Sequence, residues 1–235
     1  MLSIIVPMYN EEKRLIPFIS ELLEFSEKSF KNCELIFVDD GSEDKTVEIL
    51  KNLIGNRGYA RIISYPKNKG KGHAVRRGVI ESEEDKVIFI DADGSIPLRE
   101  IIKMYESLDS YDIVIGTRAA KESVVKQRRL RKLTGTIFNA LVNFLFRTGF
   151  KDHLCGIKGF RREVAKSLFN DLKSERWLFD VEILYKARRR KYSILEQPIH
   201  WEYKEGTKMK FFDPVRMFFK LIKLRLRIYR LKIED

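Results

Sequence analysis

Val87-Ile88-Phe89-Ile90-Asp91-Ala92-Asp93-Gly94-Ser95-Ile96-Pro97 is the stretch on which the reading of this chain turns. Four consecutive apolar residues bounded by turn formers read as a short strand buried on both faces, the habit of a parallel sheet. Where the run ends, two carboxylates at i and i+2 can approach one divalent cation from the rim of that sheet. An open α/β sheet takes its ligands at that same edge. An acidic pair in a turn is by itself commonly no more than solvated, so its weight comes from the signals that stand in register with it.

Outward from this run, Leu2 to Val6, Glu34 to Val38, Arg61 to Ser64 and Ile113 to Ile115 also read as strands. Glu11 to Ser29, Asp44 to Ile54, Gly72 to Ser82 and Leu98 to Leu108 read as the helices between them. The alternation is a βαβ series and predicts an α/β fold with a mainly parallel central sheet and flanking helices. No repeat, low-complexity tract or linker divides the chain. Its 235 residues and 44% hydrophobic content suit one large domain, whose second half builds onto the first.

Lys and Arg number 46 against 34 Asp and Glu, a net charge of +12. Such a balance points to an anionic partner: a nucleotide, a nucleic acid or a phospholipid surface. Cys33 and Cys155 are the only cysteines, which argues against a disulfide framework and fits a reducing compartment. Neither has a ligand neighbour at metal-binding spacing, and the three histidines are scattered, which argues against zinc. Met1 almost abuts the first strand, leaving no room for a signal peptide. The apolar stretches fall short of the roughly 18 to 20 residues that span a bilayer. The expectation is a cytoplasmic protein, peripherally held on the cytosolic face of a membrane.

After the first strand comes Pro7-Met8-Tyr9-Asn10-Glu11-Glu12, and after the second Asp39-Asp40-Gly41-Ser42-Glu43-Asp44. Each is readable as an ordinary strand-to-helix turn, with Gly41 permitting the tight bend and Ser42 or Asp44 capping the helix. Together with Asp91 and Asp93 they would lie side by side at one sheet edge, an arrangement suited to a base, a ribose and a metal-bound diphosphate.

These segments, with Asn68-Lys69-Gly70-Lys71-Gly72 and Gly116-Thr117-Arg118, resemble the family 2 glycosyltransferases of GT-A fold. Asp152-His153-Leu154-Cys155-Gly156-Ile157-Lys158-Gly159-Phe160, Arg176-Trp177-Leu178-Phe179-Asp180-Val181-Glu182 and Trp201-Glu202-Tyr203-Lys204-Glu205-Gly206-Thr207-Lys208 are similar to the dolichyl-phosphate glucosyltransferases, and less closely to the dolichyl-phosphate mannosyltransferases. The resemblance covers nearly the whole chain. It implies an inverting enzyme that moves glucose from UDP-glucose to a polyprenyl (dolichyl) phosphate. GDP-mannose or another UDP-sugar stays open as donor, and a basic nucleic-acid-binding module is the competing class, although no nucleic-acid motif is recognisable.

By resemblance, Pro7, Tyr9, Glu11 and Asp39 or Asp40 hold the nucleoside, Lys71 and the Asp91-Ala92-Asp93 turn take the diphosphate, and Asp91 and Asp93 bind Mg²⁺ or Mn²⁺, with Asp93 the direct ligand. Some mannosyltransferase relatives carry a Gln where this chain has Ser95, so water would complete the metal shell. Arg118 with Arg129 or Arg131 clamps the acceptor phosphate through the planar guanidinium fork, with Arg128 in the same cluster. Asp180 orients the acceptor or the sugar, although helix capping explains it equally well, and Asp180 and Glu182 project on different faces of either a strand or a helix.

The resemblance divides the domain into a nucleotide-sugar half over 1–118, an acceptor half over 119–209 and a basic amphipathic helix over 210–235. In that last segment Arg216, Lys220, Lys223, Arg227 and Arg230 recur at steps of four and three, with Phe218, Phe219, Ile222 and Leu226 on the other sides. The pattern fits either a helix in the interface of an anionic membrane or one packed on the domain. Ile137 to Phe150 reads as a second apolar helix, too short to span.

Overall fold

A computed structural model describes residues 1–126, 129–174, 176–204 and 219–226. The first half is the expected series: β1 (Leu2–Met8), α1 (Leu15–Ser29), β2 (Cys33–Asp39), α2 (Thr46–Ile54), β3 (Ala60–Ser64), α3 (Lys71–Glu81), β4 (Lys86–Ile90), α4 (Arg99–Ser107) and β5 (Ile113–Thr117). It continues with β6 (Val124–Lys126), α5 (Arg129–Phe146), β7 (Ile157–Arg161), α6 (Arg162–Asn170), α7 (Phe179–Arg189), β8 (Ile194–Pro198) and β9 (His200–Glu202).

Seven strands form one sheet in the order β3-β2-β1-β4-β7-β5-β8. All pairs are parallel except the two that β7 makes with β4 and β5. The mainly parallel sheet is therefore as the sequence implies, with β7 as an inserted antiparallel strand. Because β7 runs backwards, its first residue comes to the edge where β1, β2, β4 and β5 end: Ile90 pairs with Ile157, and the Asp91 N–H donates to the Gly156 carbonyl at 3.0 Å. β6 and β9 form a separate two-stranded parallel ribbon.

Side chains alternate across the sheet into two cores. Ile4, Val6, Leu35, Phe37, Ile88 and Ile90 meet α1 and α4 on one face through Leu15, Ile19, Leu22, Ile101 and Met104. On the other face, Ile5, Ile36, Val38, Val87 and Phe89 meet α3, α6 and α7 through Val75, Val79, Leu168, Phe179 and Ile183. Gly78 lets α3 lie against β1, since a Cβ there would sit 2.4 Å from Ile5. A third cluster joins α5, α7 and a helical segment over 219–226 through Val142, Phe146, Val181, Tyr185, Leu221 and Leu224.

Two helices depart most from the periodic pattern. Helix α1 begins at Leu15 rather than Glu11: residues before it form a turn in which the Arg14 and Leu15 N–H groups both donate to the Glu11 carbonyl, and the Asn10, Glu11 and Glu12 N–H groups donate to Ser42 Oγ, Thr46 Oγ1 and Asp44 Oδ2. Helix α5 spans Arg129–Phe146, starting and ending earlier than its apolar run. Arg147, at φ 52°, enters the left-handed region and stops it, with Gly149 at φ 80° just beyond.

Candidate active site

The carboxyl edge of the parallel strands gathers the ends of β1, β2, β4 and β5, and so places Tyr9, Asp39, Asp91, Asp93 and Arg118 along one side of the molecule. The turns after β1 and β2 are laced together. Besides the three bonds from the Asn10, Glu11 and Glu12 N–H groups, Glu43 N–H donates to Asn10 Oδ1 and Lys45 N–H to Glu12 Oε2. Glu11 pairs with Arg14. Asn10 sits at φ 50°, a conformation an Asn adopts more readily than most residues.

Asp39 and Asp40 are both buried, but their partners differ. Asp40 Oδ1 accepts from Tyr65 Oη (2.7 Å) and Lys69 N (2.9 Å), and its Oδ2 accepts from Asn68 Nδ2 and Gly70 N (both 2.8 Å). Four donors saturate a carboxylate in the plane of its lone pairs, so Asp40 organises the loop that leads into α3. Tyr65 is correspondingly held protonated, by burial and by its bond to Asp40. Asp39 accepts from Ser42 N–H (3.1 Å) and Ser64 Oγ (2.7 Å) and retains acceptor capacity.

Below the edge lies an alternation of charges. Lys71, the first residue of α3, places Nζ 2.6 Å from Asp91 Oδ1. Lys158 of β7 and Asp180 of α7, both almost wholly buried, pair at 2.6 Å, and Lys158 also donates to the Cys155 carbonyl at 2.8 Å. Burial acts to lower the Lys71 pKa, but Asp91, Asp180 and Asp93 outweigh it, and the net shift is upward. Burial likewise pushes the Asp91 carboxyl up, with Asp93 adding to it and Lys71 opposing. Gly156 makes room for this carboxylate: a Cβ there would stand 2.2 Å from Asp91 Oδ2. Asp93 is half-buried, and its Oδ1 accepts from the Ser95 N–H at 2.9 Å, which shapes the turn.

Arg118 follows β5 and is gripped by Asp152: Nε and Nη2 donate to the two carboxylate oxygens at 2.7 and 2.9 Å, and the Arg118 N–H adds a third bond at 3.0 Å. Its guanidinium lies 5.6 Å from the Trp201 ring centre. Burial acts to lower the Arg118 pKa, but Asp152 overrides it and holds the group firmly charged. Arg129 and Arg131 open α5, their side chains outside the described set, and Arg128 lies outside the described residues altogether. Of the basic stripe, Lys220 and Lys223 fall within the described helical segment, whereas Arg216, Arg227 and Arg230 do not.

A cavity of about 400 Å³ opens beside Asp93, lined by Lys13, Arg14, Pro17, Phe18, Gly94 and Lys204 among others. Arg14 feels Asp93 and Asp91 after its bond to Glu11, which together with them raises its pKa against the opposing effect of burial. A larger cleft, about 690 Å³, lies at the opposite edge of the sheet between Glu27, Cys33, Tyr59, Arg61 and Glu84, away from all these groups. Sequence reasoning gave no role to Arg14, Asp152, Gly156 or Lys158. The signal available for Lys158 was a cation between Ile157 and Gly159-Phe160, which if the segment is a buried strand demands a counter-ion.

Asp91 and Asp93 supply two carboxylates, and no group of three or more His, Cys, Asp or Glu able to hold a metal occurs among the described residues. Such a donor set fits a cation shared with a diphosphate, since Mg²⁺ commonly takes one or two carboxylates and completes its shell with phosphate oxygens and water. Because Lys71 already pairs with Asp91, Asp93 is the less committed of the two carboxylates.

Residues 3–169 match the model of glycosyl transferase family 2. The chain belongs to that family. As a family 2 glycosyltransferase it is 38% identical to the human dolichyl-phosphate beta-glucosyltransferase over 96% of this chain and 75% of that one. It is 34% identical to a dolichyl-phosphate beta-glucosyltransferase of Trichomonas vaginalis, over 95% and 70% of the two. Among solved structures, glucosyl-3-phosphoglycerate synthase of Mycobacterium tuberculosis, in complex with Mn²⁺, UDP and glucosyl-3-phosphoglycerate, superposes with a TM-score of 0.71 at 19% identity, covering 96% of this chain and 79% of that one. The same synthase has been solved with Mg²⁺ and UDP. The α/β fold of the glycosyltransferase is thus shared well beyond the range of sequence similarity.

Proposed function

We propose that this glycosyltransferase moves glucose from UDP-glucose to a dolichyl or other polyprenyl phosphate, with inversion, in a single displacement. The observation that carries the reading is the 38% identity to a named dolichyl-phosphate beta-glucosyltransferase across 96% of the chain. The geometry supports it, because carboxylates at the ends of β2 and β4 and Arg118 at the end of β5 stand along one edge of the sheet. Asp39, which keeps acceptor capacity, is the nucleoside contact, along with Pro7, Tyr9 and Glu11, and Asp40 acts through the loop it organises. Asp93, aided by Asp91, would hold Mg²⁺ or Mn²⁺ on the diphosphate, and the cation supplies Lewis-acid neutralisation of the leaving group.

The acceptor oxygen is already anionic at neutral pH, so a strong general base is not obligatory. The chain's task is to bring two anions together and in line. Asp152 fixes the Nε and Nη2 side of Arg118, and the Nη1 donors are the ones an acceptor phosphate would use; by resemblance Arg129 or Arg131 would join in the clamp. Asp180, held by Lys158, orients sugar or acceptor.

The lipid end of the acceptor has a matching surface. Ile137 and Phe144 of α5 and Phe219, Ile222 and Leu226 of the 219–226 segment are exposed apolar side chains, flanked by Lys220 and Lys223, as an anionic membrane interface requires. No described helix is long and apolar enough to cross a membrane. The test is transfer of radiolabelled sugar from a panel including UDP-glucose and GDP-mannose into an organic-extractable polyprenyl phosphate, with and without Mg²⁺ or Mn²⁺. Metal-dependent labelling from UDP-glucose alone is expected. Labelling from GDP-mannose instead, or none from any donor, defeats the assignment.

A further inference from the structure

Trp177 is one of only two tryptophans in the chain, and it is 41% exposed, leaving an aromatic face open to a ligand. Its surroundings are built with care. The loop before α7 is pinned from below by Glu182, almost fully buried, whose two carboxylate oxygens accept the Lys173 and Ser174 N–H groups at 3.0 and 2.9 Å. Lys186 neutralises that carboxylate at 2.7 Å. From the side, the loop's carbonyls rest on α3 at Gly72: a Cβ there would meet Ser174 O at 2.8 Å and Arg176 O at 3.0 Å. Asn68, held by Asp40, lies within 3.5 Å of Arg176.

This bracing sets the backbone that carries the indole at the rim of the site. Lys71 Nζ is 5.8 Å from the Trp177 ring centre and 2.6 Å from Asp91 Oδ1, so one ammonium bridges the indole and the carboxylate at the diphosphate end of the site. Asp180 follows three residues later, on the first turn of α7. A flat apolar surface beside a diphosphate site has an obvious complement in the hexose attached to that diphosphate. A pyranose with equatorial hydroxyls presents a face of C–H bonds, weakly positive in character, to the electron-rich face of an indole.

We propose that Trp177 is the stacking platform for the transferred hexose and so a specificity-determining residue for a sugar with an equatorial-hydroxyl face. The inference rests on the UDP-glucose reading above. Its role is to add affinity for the sugar and none for the nucleotide, and to hold the ring against the Asp180 side of the site while Lys71 and Asp91 engage the diphosphate end.

The experiment compares wild type, Trp177→Phe and Trp177→Ala in equilibrium binding of UDP-glucose and of UDP, both with Mg²⁺, and in the KM for polyprenyl phosphate. Trp177→Ala is expected to weaken UDP-glucose about 10-fold, a stacking contact of ordinary strength, while the UDP Kd and the acceptor KM stay within 2-fold of wild type. Trp177→Phe should recover most of the loss. An unchanged UDP-glucose to UDP affinity ratio in Trp177→Ala overturns the proposal. So does a rise confined to the acceptor KM, which would make the indole a rest for the isoprenoid chain. Failure of the donor reading shows separately, in the wild-type enzyme, as no transfer from UDP-glucose.

Discussion

Gly156→Ala is the substitution that most directly asks whether the position of Asp91 matters. The added Cβ would lie 2.2 Å from Asp91 Oδ2 and 2.7 Å from its Cγ, whereas a carbon to oxygen contact needs roughly 3.3 Å. The backbone offers little relief, because the Asp91 N–H is bonded to the Gly156 carbonyl and the next residues, Ile90 and Ile157, are paired in the sheet. The carboxylate must swing by about 1 Å, leaving its preferred rotamer at a cost of about 1 kcal/mol, which for a chain of this size lowers Tm by only about 2 to 4 °C.

Function should suffer far more than stability. A misplacement of about 1 Å at a positioned group costs on the order of 100-fold in rate, so kcat/KM for glucose transfer to polyprenyl phosphate should fall about 100-fold in a protein that still folds. The Mg²⁺ concentration for half-maximal activity should rise if, as proposed, Asp91 supports the cation beside Asp93. Gly58→Ala is the control: nothing lies within 4 Å of a Cβ there, and activity should be unchanged. A Gly156→Ala enzyme within 3-fold of wild type, with the same Mg²⁺ dependence, would refute the idea that catalysis depends on where Asp91 points.

Asp93→Ala should abolish transfer and leave the fold intact, because it removes one turn-shaping bond to the Ser95 N–H; metal-dependent turnover in that variant would take Asp93 out of the mechanism. Lys158→Met strands Asp180 without its counter-ion in a buried site and should cost about 3 to 5 kcal/mol in urea unfolding, with Lys158→Met/Asp180→Leu recovering much of it; equal losses in the single and double variants would count against the pair. His153, wholly buried, has its pKa pulled down from 6.5 to about 4 by burial and by Lys158, against Asp152. The unfolded chain therefore binds a proton that the native one does not between those values, and stability should drop by about 3 kcal/mol as pH falls from 6.5 to 4. His153→Gln should flatten that limb of the pH profile, and an unaltered limb would assign the acid loss to other groups.

The βαβ series was legible because each strand and helix is announced by local periodicity. Val87 to Ile90 needs no distant partner to read as buried, and the turn residues that follow it are contiguous. β7 was not legible. Ile157-Lys158-Gly159-Phe160-Arg161 carries two cations and a glycine in five residues, a composition that argues against a central strand unless the charges are met. Lys158 is met by Asp180, 22 residues away, and the Arg161 guanidinium by the Leu108 and Asp109 carbonyls. Gly159 is where Leu108 and Ile88 press closest, at 3.1 and 3.2 Å from a would-be Cβ.

The same division runs through the site. Asp39 and Asp40 are adjacent in sequence and chemically identical, and nothing local separates them. They part company only because the 65–70 loop folds back and fills Asp40 with four donors. Arg118 was legible as a cation at a strand end, but its orientation is set by Asp152, 34 residues on. Asp91 was legible as half of an acidic pair, but its room is made by Gly156 and its charge is balanced by Lys71. In each case the candidate site residue sits at a strand end, where sequence marks it, and the group that holds it in place comes from another element. Preorganisation is the costly part of such a site, since buried charges must be paired before any ligand arrives. It is therefore the partners Asp152, Gly156 and Lys158, more than the acidic turns themselves, that distinguish a built site from a solvated cluster of carboxylates.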